Sequence, residues 1–95
     1  MYFIKMHRRE KTKITVICDE ELLGKKFEEN GMQLEVSERF YKERKINDNE
    51  AVSAMEEATI LNITGKSIVK LAIENKIIKK ENIIYIEGIP HAEAA

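Results

Sequence analysis

Two segments at the start of the chain constrain its fold more than any other feature of the sequence. Residues 2–7 and 13–18 are rich in β-branched and aromatic side chains, and the charged stretch 8–12 separates them. Because such side chains pack well on a pleated surface, the pair predicts a β-hairpin that opens the fold. The charged stretch has no glycine, so we expect a loop longer than a two-residue turn, with its charges at an exposed tip.

The region after this hairpin predicts one further strand. Asp19 precedes two glutamates and two leucines, which places a capping carboxylate before a short helical turn that Gly24 ends. The pair Asn30-Gly31 accepts positive φ, and the alternation of apolar and polar residues over 32–37 predicts a third strand. Residues 38–46 predict a short helix or an irregular connection.

Helical periodicity marks the second half of the chain. Apolar residues recur at helical spacing over residues 48–61, directly after a capping-box pattern formed by Asn47 and Glu50. A second apolar stripe predicts a helix over residues 66–76. We interpret the two as an αα-hairpin rather than a helix-turn-helix that binds DNA, because glutamates on the same unit would repel phosphates.

The order of the predicted elements favours an α+β fold over an alternating α/β fold. Residues 83–87 predict a returning strand, a turn at 88–91 ends it, and residues 92–95 are expected to be a frayed tail. We therefore expect a small mixed or antiparallel sheet of about four strands, opened by a β-hairpin and packed against two consecutive helices. Residues 1–95 are predicted to form a single domain.

Composition limits the classes of protein that the chain can represent. Of 95 residues, 43% are hydrophobic and 35% are charged, which is the balance of a folded domain rather than a disordered tail. The longest apolar runs fall far short of the ~20 residues that cross a bilayer, and the first residues lack the pattern of a signal peptide. A single cysteine, Cys18, excludes an internal disulfide and a multi-cysteine zinc site. We expect a cytoplasmic protein with no metal, no cofactor and no membrane partner.

A local excess of positive charge coincides with the predicted hairpin. The net charge of the chain is -1, yet residues 1–17 hold five lysines and arginines against one glutamate. Such a cluster can contact the phosphates of RNA or DNA, although charged hairpin tips are commonly only solvated. The candidate nucleic-acid-binding residues are Lys5, His7, Arg8, Arg9, Lys11 and Lys13.

Two further patterns are weaker. Gly65-Lys66-Ser67 is similar to the end of a phosphate-binding loop, but that loop needs a glycine where Ile60 stands and a buried strand before it, which we do not predict. Cys18 or Ser37 with His91 is the only set from which a nucleophile and a base could be assembled. Catalysis becomes a serious hypothesis only if either residue lies within hydrogen-bond reach of His91.

Four stretches of the sequence together resemble a known family. Residues 18–25, 34–41, 58–65 and 88–92, in this order and spacing, are similar to the domain of unknown function 424 family of small archaeal proteins. The resemblance covers nearly the whole chain and implies an uncharacterised archaeal cytoplasmic protein, and it transfers no activity and no catalytic residues.

The residues that carry this resemblance divide into two physical groups. The glycines Gly24, Gly65 and Gly88 are expected to meet backbone requirements. The polar residues are candidates for one shared surface, and they are Asp19, Lys25, Ser37, Asn62 and His91.

The leading hypothesis is a non-enzymatic binding module attached to RNA or to a ribonucleoprotein through the basic hairpin. The alternative is a protein–protein adaptor or a homodimer, which Phe40 and Tyr41 in a polar stretch and open sheet edges favour. A small enzyme that uses Cys18 or Ser37 with His91 is the third hypothesis.

Overall fold

The computed structural model describes residues 1–95, which form eight strands and three helices. The strands are β1 (Tyr2–Arg9), β2 (Thr12–Asp19), β3 (Lys26–Glu29), β4 (Met32–Glu35), β5 (Arg44–Ile46), β6 (Ile60–Thr64), β7 (Ile83–Ile86) and β8 (Ile89–Ala94). The helices are α1 (Glu38–Tyr41), α2 (Asp48–Glu57) and α3 (Lys66–Glu74). The predicted α+β class is confirmed. None of the helices has the length and apolar character needed to span a membrane.

Six strands form one mixed sheet in the order β5-β1-β2-β6-β8-β7, and β3 and β4 form a separate two-stranded hairpin. Only the central pair, β2 and β6, is parallel, and the other neighbours are antiparallel. The main sheet therefore has six strands where the sequence predicts about four, and the strand predicted over residues 32–37 is β4 of the separate hairpin, so three strands of the main sheet were not predicted. These three strands are β5, β6 and β8. They lie in segments that we assigned to a connection, to a helix end, and to a turn with a frayed tail.

The opening hairpin is confirmed, but the predicted long loop is wrong. Arg9 pairs with Thr12, so a two-residue turn joins β1 to β2, and Glu10 adopts a φ of 57° in it. A non-glycine residue tolerates this left-handed conformation at a modest cost. The pair Asn30-Gly31 adopts the expected positive φ and turns β3 into β4.

A strand runs between the two long helices, so the predicted αα-hairpin is wrong and a helix-turn-helix is excluded. The predicted helix over 48–61 ends at Glu57, and residues 60–64 form β6 in the middle of the sheet. Leu61 and Ile63 are buried against the helices. Pairing with β2 and β8 and this burial outweigh the helical spacing of the local sequence.

The predicted frayed tail is also wrong, because β8 reaches Ala94 and lies between β6 and β7. Glu87 and Gly88 adopt φ values of 52° and 78°, as a two-residue hairpin turn between β7 and β8 requires. Pro90 has no N–H to donate, and its carbonyl oxygen accepts a hydrogen bond from the N–H of Gly65 at 2.9 Å.

The main sheet separates two apolar cores. We call the side covered by α2 and α3 the helix face, where Ile4, Ile17 and Ile63 are fully or almost fully buried. We call the opposite side the hairpin face. There Val16 and Cys18 of β2 pack with Leu22 and with two residues that lie between β4 and β5, Val36 and Tyr41. Because side chains alternate along a strand, each residue of β2, β6 and β8 belongs to one face only.

Asp19 caps α3 instead of the short turn that follows it in the sequence. Its two carboxylate oxygens accept hydrogen bonds from the backbone N–H groups of Ser67 and Ile68, each at 2.8 Å. The turn at residues 20–22 receives no side-chain cap. Because the first N–H groups of a helix lack intrahelical partners, this long-range cap ties the end of β2 to the start of α3.

Candidate nucleic-acid interface

The end of the opening hairpin extends beyond the strands beside it. On one side, β5 pairs only with Tyr2–Ile4 of β1, and on the other, β6 pairs with β2 from Ile14 onward. Residues 8–13 therefore form a two-stranded projection with no neighbouring strand. We call this segment the basic ribbon.

The basic ribbon holds four positive side chains that are free of ion pairs. Arg8, Arg9 and Lys11 are exposed and Lys13 is half-buried, and every salt bridge of the chain joins other residues. Arg8 lies directly opposite Lys13 across the two strands. Like charges in this position destabilise a strand pair, so an anion bound between them would relieve a repulsion that the free protein carries.

The two remaining candidate residues of the hairpin are engaged with α1. Lys5 Nζ donates a hydrogen bond to the carbonyl oxygen of Arg39 at 2.8 Å. His7 Nε2 donates to the carbonyl oxygen of Phe40 at 2.9 Å, and its ring stacks on that of Phe40 with centroids 4.5 Å apart. Lys5 and His7 thus hold α1 against the sheet, while the four cations of the basic ribbon stay available.

A chain of polar side chains crosses the hairpin face beside this projection. The strand register places Asn62 opposite Glu93 and Thr64 opposite His91. The hydroxyl of Tyr41 lies 3.2 Å from Asn62 Oδ1 and 2.9 Å from Thr64 Oγ1, and Thr64 Oγ1 lies 2.8 Å from His91 Nδ1. Asn62 Nδ2 donates to Glu93 Oε1 at 3.2 Å. We call these five residues the polar network.

Hydrogen-bond donors and acceptors in the polar network fit a single direction. Tyr41 has one proton and donates it to Asn62 Oδ1, so Thr64 donates to Tyr41 and His91 Nδ1–H donates to Thr64. Burial raises the pKa of Tyr41 to about 12. Burial lowers the pKa of His91, and the nearby Glu93 carboxylate acts in the opposite direction. The neutral imidazole therefore fits the network.

Lowering the pH from about 7.5 to about 5 is expected to destabilise the fold through His91. Because its pKa is lower in the folded chain than its ordinary value of 6.5, the unfolded chain binds a proton first as the pH falls. The stabilisation from neutral His91 is fully present above the pKa that His91 has in the unfolded chain. It is lost as the pH falls through the pKa that His91 has in the folded chain. Urea unfolding at each pH should show that the free energy of unfolding falls less for the His91→Gln variant than for the wild-type protein. Equal pH dependence of the two proteins would contradict this role.

An open cavity of about 320 Å³ lies on the hairpin face between the basic ribbon and the polar network. Its apolar lining includes Ile14, which directly follows Lys13, and the half-exposed ring of Phe40. Its polar lining consists of Asn62 and Glu93. We call it the Glu93 cavity.

The five residues predicted to share a polar surface are distributed over both faces. Asn62 and His91 belong to the polar network, whereas Asp19 lies on the helix face as the cap of α3. Ser37 caps α1 by accepting from the N–H of Phe40 at 3.2 Å, and Lys25 is exposed between the turn at 20–22 and β3.

Sequence reasoning missed the residues that connect Asn62 to His91. Tyr41 and Thr64 bridge the two, and Glu93 lies beside both. The spacing of Asn62 and Thr64, and of His91 and Glu93, is that of alternate residues in a strand. This signal would have grouped them, had β6 and β8 been predicted.

The proposed nucleophiles do not contact the base. Cys18 is fully buried, and burial raises the pKa of its thiol to about 12. His91 makes its hydrogen bond to Thr64, and neither Cys18 nor Ser37 is bonded to it. No group of three His, Cys, Asp or Glu side chains is placed to hold a metal ion.

The motif Gly65-Lys66-Ser67 has the strand before it that we did not predict, since β6 leads directly into α3. A phosphate at this helix start would need the N–H groups of Ser67 and Ile68. Asp19 already accepts from both. The position where a loop of this kind would hold a phosphate is thus filled by a carboxylate of the chain itself.

A second cationic surface lies on the helix face, in a groove of about 450 Å³ between α3 and β7. Lys66, Lys70 and Lys80 line it together with one carboxylate, Glu74, and with Tyr85, which is 59% exposed. We call it the α3–β7 groove. The α3–β7 groove carries three lysines on the face opposite the Glu93 cavity. It can therefore serve as a control site when RNA binding by the basic ribbon is tested.

Comparison with known proteins gives a family and a fold. A family model described as a protein of unknown function, DUF424, matches residues 7–95. The crystal structure of an uncharacterized conserved protein from Methanopyrus kandleri is similar, with a TM-score of 0.81 and 22% sequence identity. The match covers 98% of this chain and 89% of that one, and at this identity it shows the shared fold alone. No curated protein matches the chain.

Proposed function

The chain belongs to the DUF424 family of proteins of unknown function, as its four sequence stretches predict, and from its surface we propose a cytoplasmic, non-enzymatic module that binds single-stranded RNA. The observation that carries the proposal is the basic ribbon, a projection with four cations that have no partner within the chain. Each cation that meets a phosphate releases counterions, which favours binding without requiring a particular sequence.

The arrangement of the cations fits a flexible strand better than a flat protein surface. Arg8 and Lys13 lie opposite each other and point to one side of the ribbon, Arg9 points to the other side, and Lys11 is at the turn. Phosphates of a single strand that wraps around the tip can meet all four. The net charge of -1 gives no general attraction, so affinity depends on this local cluster.

Salt dependence tests this proposal directly. With four phosphate contacts, the plot of log affinity for a single-stranded RNA against log salt should have a slope of about -3, since each contact contributes about -0.7. Fluorescence anisotropy with a labelled oligonucleotide at several salt concentrations measures it. A slope near zero, or no binding at low salt, would contradict the proposal. A DNA strand of the same sequence that competes equally well would contradict the assignment to RNA.

A second candidate function is protein–protein interaction or homodimerisation, and one observation favours it. The edge strand β7 contains no charged residue, and its Ile84 and Tyr85 are 47% and 59% exposed. Natural edge strands are usually protected by charges or coverage. The β3–β4 hairpin contacts β7 and is held there by hydrogen bonds of Glu28 and Glu29 with Glu87, so the part of the edge that it leaves uncovered can pair with another strand. The ring of Tyr41 is buried, which leaves only Phe40 of the aromatic pair that first indicated such a surface. Sedimentation equilibrium distinguishes a dimer from a monomer.

A further inference from the structure

We propose that the Glu93 cavity binds a guanine base of the RNA strand whose phosphates the basic ribbon holds. This inference rests on the proposed function and adds a preference for one base. Its location supports it, because Ile14 lines the cavity and Arg9 of the ribbon points to the same hairpin face, whereas Arg8 and Lys13 point to the helix face. A strand bound at the ribbon can therefore place one of its bases over the hairpin face.

The shape and lining of the cavity suit a flat aromatic ring. Its volume of about 320 Å³ falls within the range of small-ligand sites, and Ile14, Ile60 and Phe40 provide apolar contacts. The Phe40 ring is 38% exposed and stacked on His7, which holds it in place. A base that has left its stack recovers contacts of the same kind from such walls.

The polar lining selects the kind of edge that a base must present. Asn62 Nδ2 holds Glu93 Oε1 at 3.2 Å, so the carboxylate is oriented and its second oxygen makes no hydrogen bond within the chain. A carboxylate only accepts hydrogen bonds and repels phosphate. The cavity therefore excludes the backbone of the strand and favours a group with N–H donors.

Guanine is the base that matches a carboxylate. Its N1–H and N2–H donors are adjacent and parallel, so they can reach both oxygens of Glu93. Adenine and cytosine each present one amino donor beside a ring acceptor, and uracil presents one N–H between two acceptors. Each of these places an acceptor lone pair against the carboxylate, which leaves a polar group unpaired.

Uridine-rich RNA oligonucleotides with one central guanosine, inosine or adenosine test the inference. Inosine retains N1–H and lacks the N2 amino group, so the wild-type protein should bind guanosine best, inosine less well and adenosine least. A bidentate base contact predicts a difference of roughly 10-fold between guanosine and adenosine. The substitution Glu93→Gln should abolish this preference. Glu56→Gln is the matched control, because Glu56 is exposed on α2 and forms no ion pair or side-chain hydrogen bond.

The outcomes separate this inference from the function on which it rests. If RNA binding depends on the basic ribbon but the three oligonucleotides bind equally, the guanine site is wrong and the binding module stands. If Glu93→Gln and Glu56→Gln retain the same preference for guanosine, the preference arises elsewhere and the inference is again wrong. If substitution of the ribbon leaves binding unchanged, both proposals fail.

Discussion

The substitution Gly65→Ala is expected to destabilise the fold by more than about 3 kcal/mol, through strain and loss of the α3 cap together. Gly65 adopts φ 126° and ψ 153°, a backbone region that residues other than glycine essentially avoid. A Cβ there would lie 2.3 Å from Asp19 Cγ, so the carboxylate would have to leave the N–H groups of Ser67 and Ile68. Urea unfolding followed by circular dichroism measures the loss.

Gly24→Ala is the matched control for this prediction. Gly24 also has a positive φ, 86°, but an added Cβ meets nothing within 4 Å. Its substitution should cost only the backbone term of about 1–2 kcal/mol. In an Asp19→Ala background, Gly65→Ala should lose only part of its steric component, because the clash with the carboxylate is removed but the added Cβ still lies 2.7 Å from the Cβ of residue 19. Equal losses for Gly24→Ala and Gly65→Ala would show that the contact with Asp19 is unimportant.

Replacing Arg8, Arg9 and Lys11 together by alanine is expected to weaken RNA binding roughly 50-fold at about 0.15 M salt. Three of four phosphate contacts are lost, so the slope of log affinity against log salt should fall from about -3 to about -1. The three side chains are exposed and form no ion pair, so the thermal stability should change little. Fluorescence anisotropy at several salt concentrations gives both the affinity and the slope.

The α3–β7 groove supplies a control with the same change in charge. Replacing Lys66, Lys70 and Lys80 by alanine also removes three positive charges, but on the helix face and away from the ribbon. If location decides binding, this variant should bind RNA with nearly the affinity of the wild type. A loss as large as that of the ribbon variant would mean that overall charge, rather than the ribbon, attracts RNA.

Features encoded by neighbouring residues could be predicted from the sequence. The opening hairpin depends on two β-rich segments that pair with each other, and its cations lie at the turn and at the strand ends beside it. The start of α2 depends on Asn47 and Glu50, whose reciprocal capping bonds of 2.9 and 3.0 Å are both present. The α+β class follows from elements of this kind.

Features that depend on distant partners could not be predicted in the same way. β6 pairs with β2 and with β8, both far from it in the sequence, and these pairings make β6 and β8 strands. The polar network exists only once Asn62 and Thr64 lie beside Glu93 and His91. Single-sequence patterns do not specify strand order, so these contacts appear only in the folded chain.

The most direct test of an RNA-binding ribbon is the titration of ¹⁵N-labelled protein with single-stranded RNA, followed by amide chemical shifts. We expect the largest changes on residues 8–13, with smaller ones at Asn62 and Glu93 when the RNA contains guanosine. Changes confined to the α3–β7 groove would contradict an RNA-binding ribbon. The absence of any change at low salt with the RNA in molar excess would also contradict it.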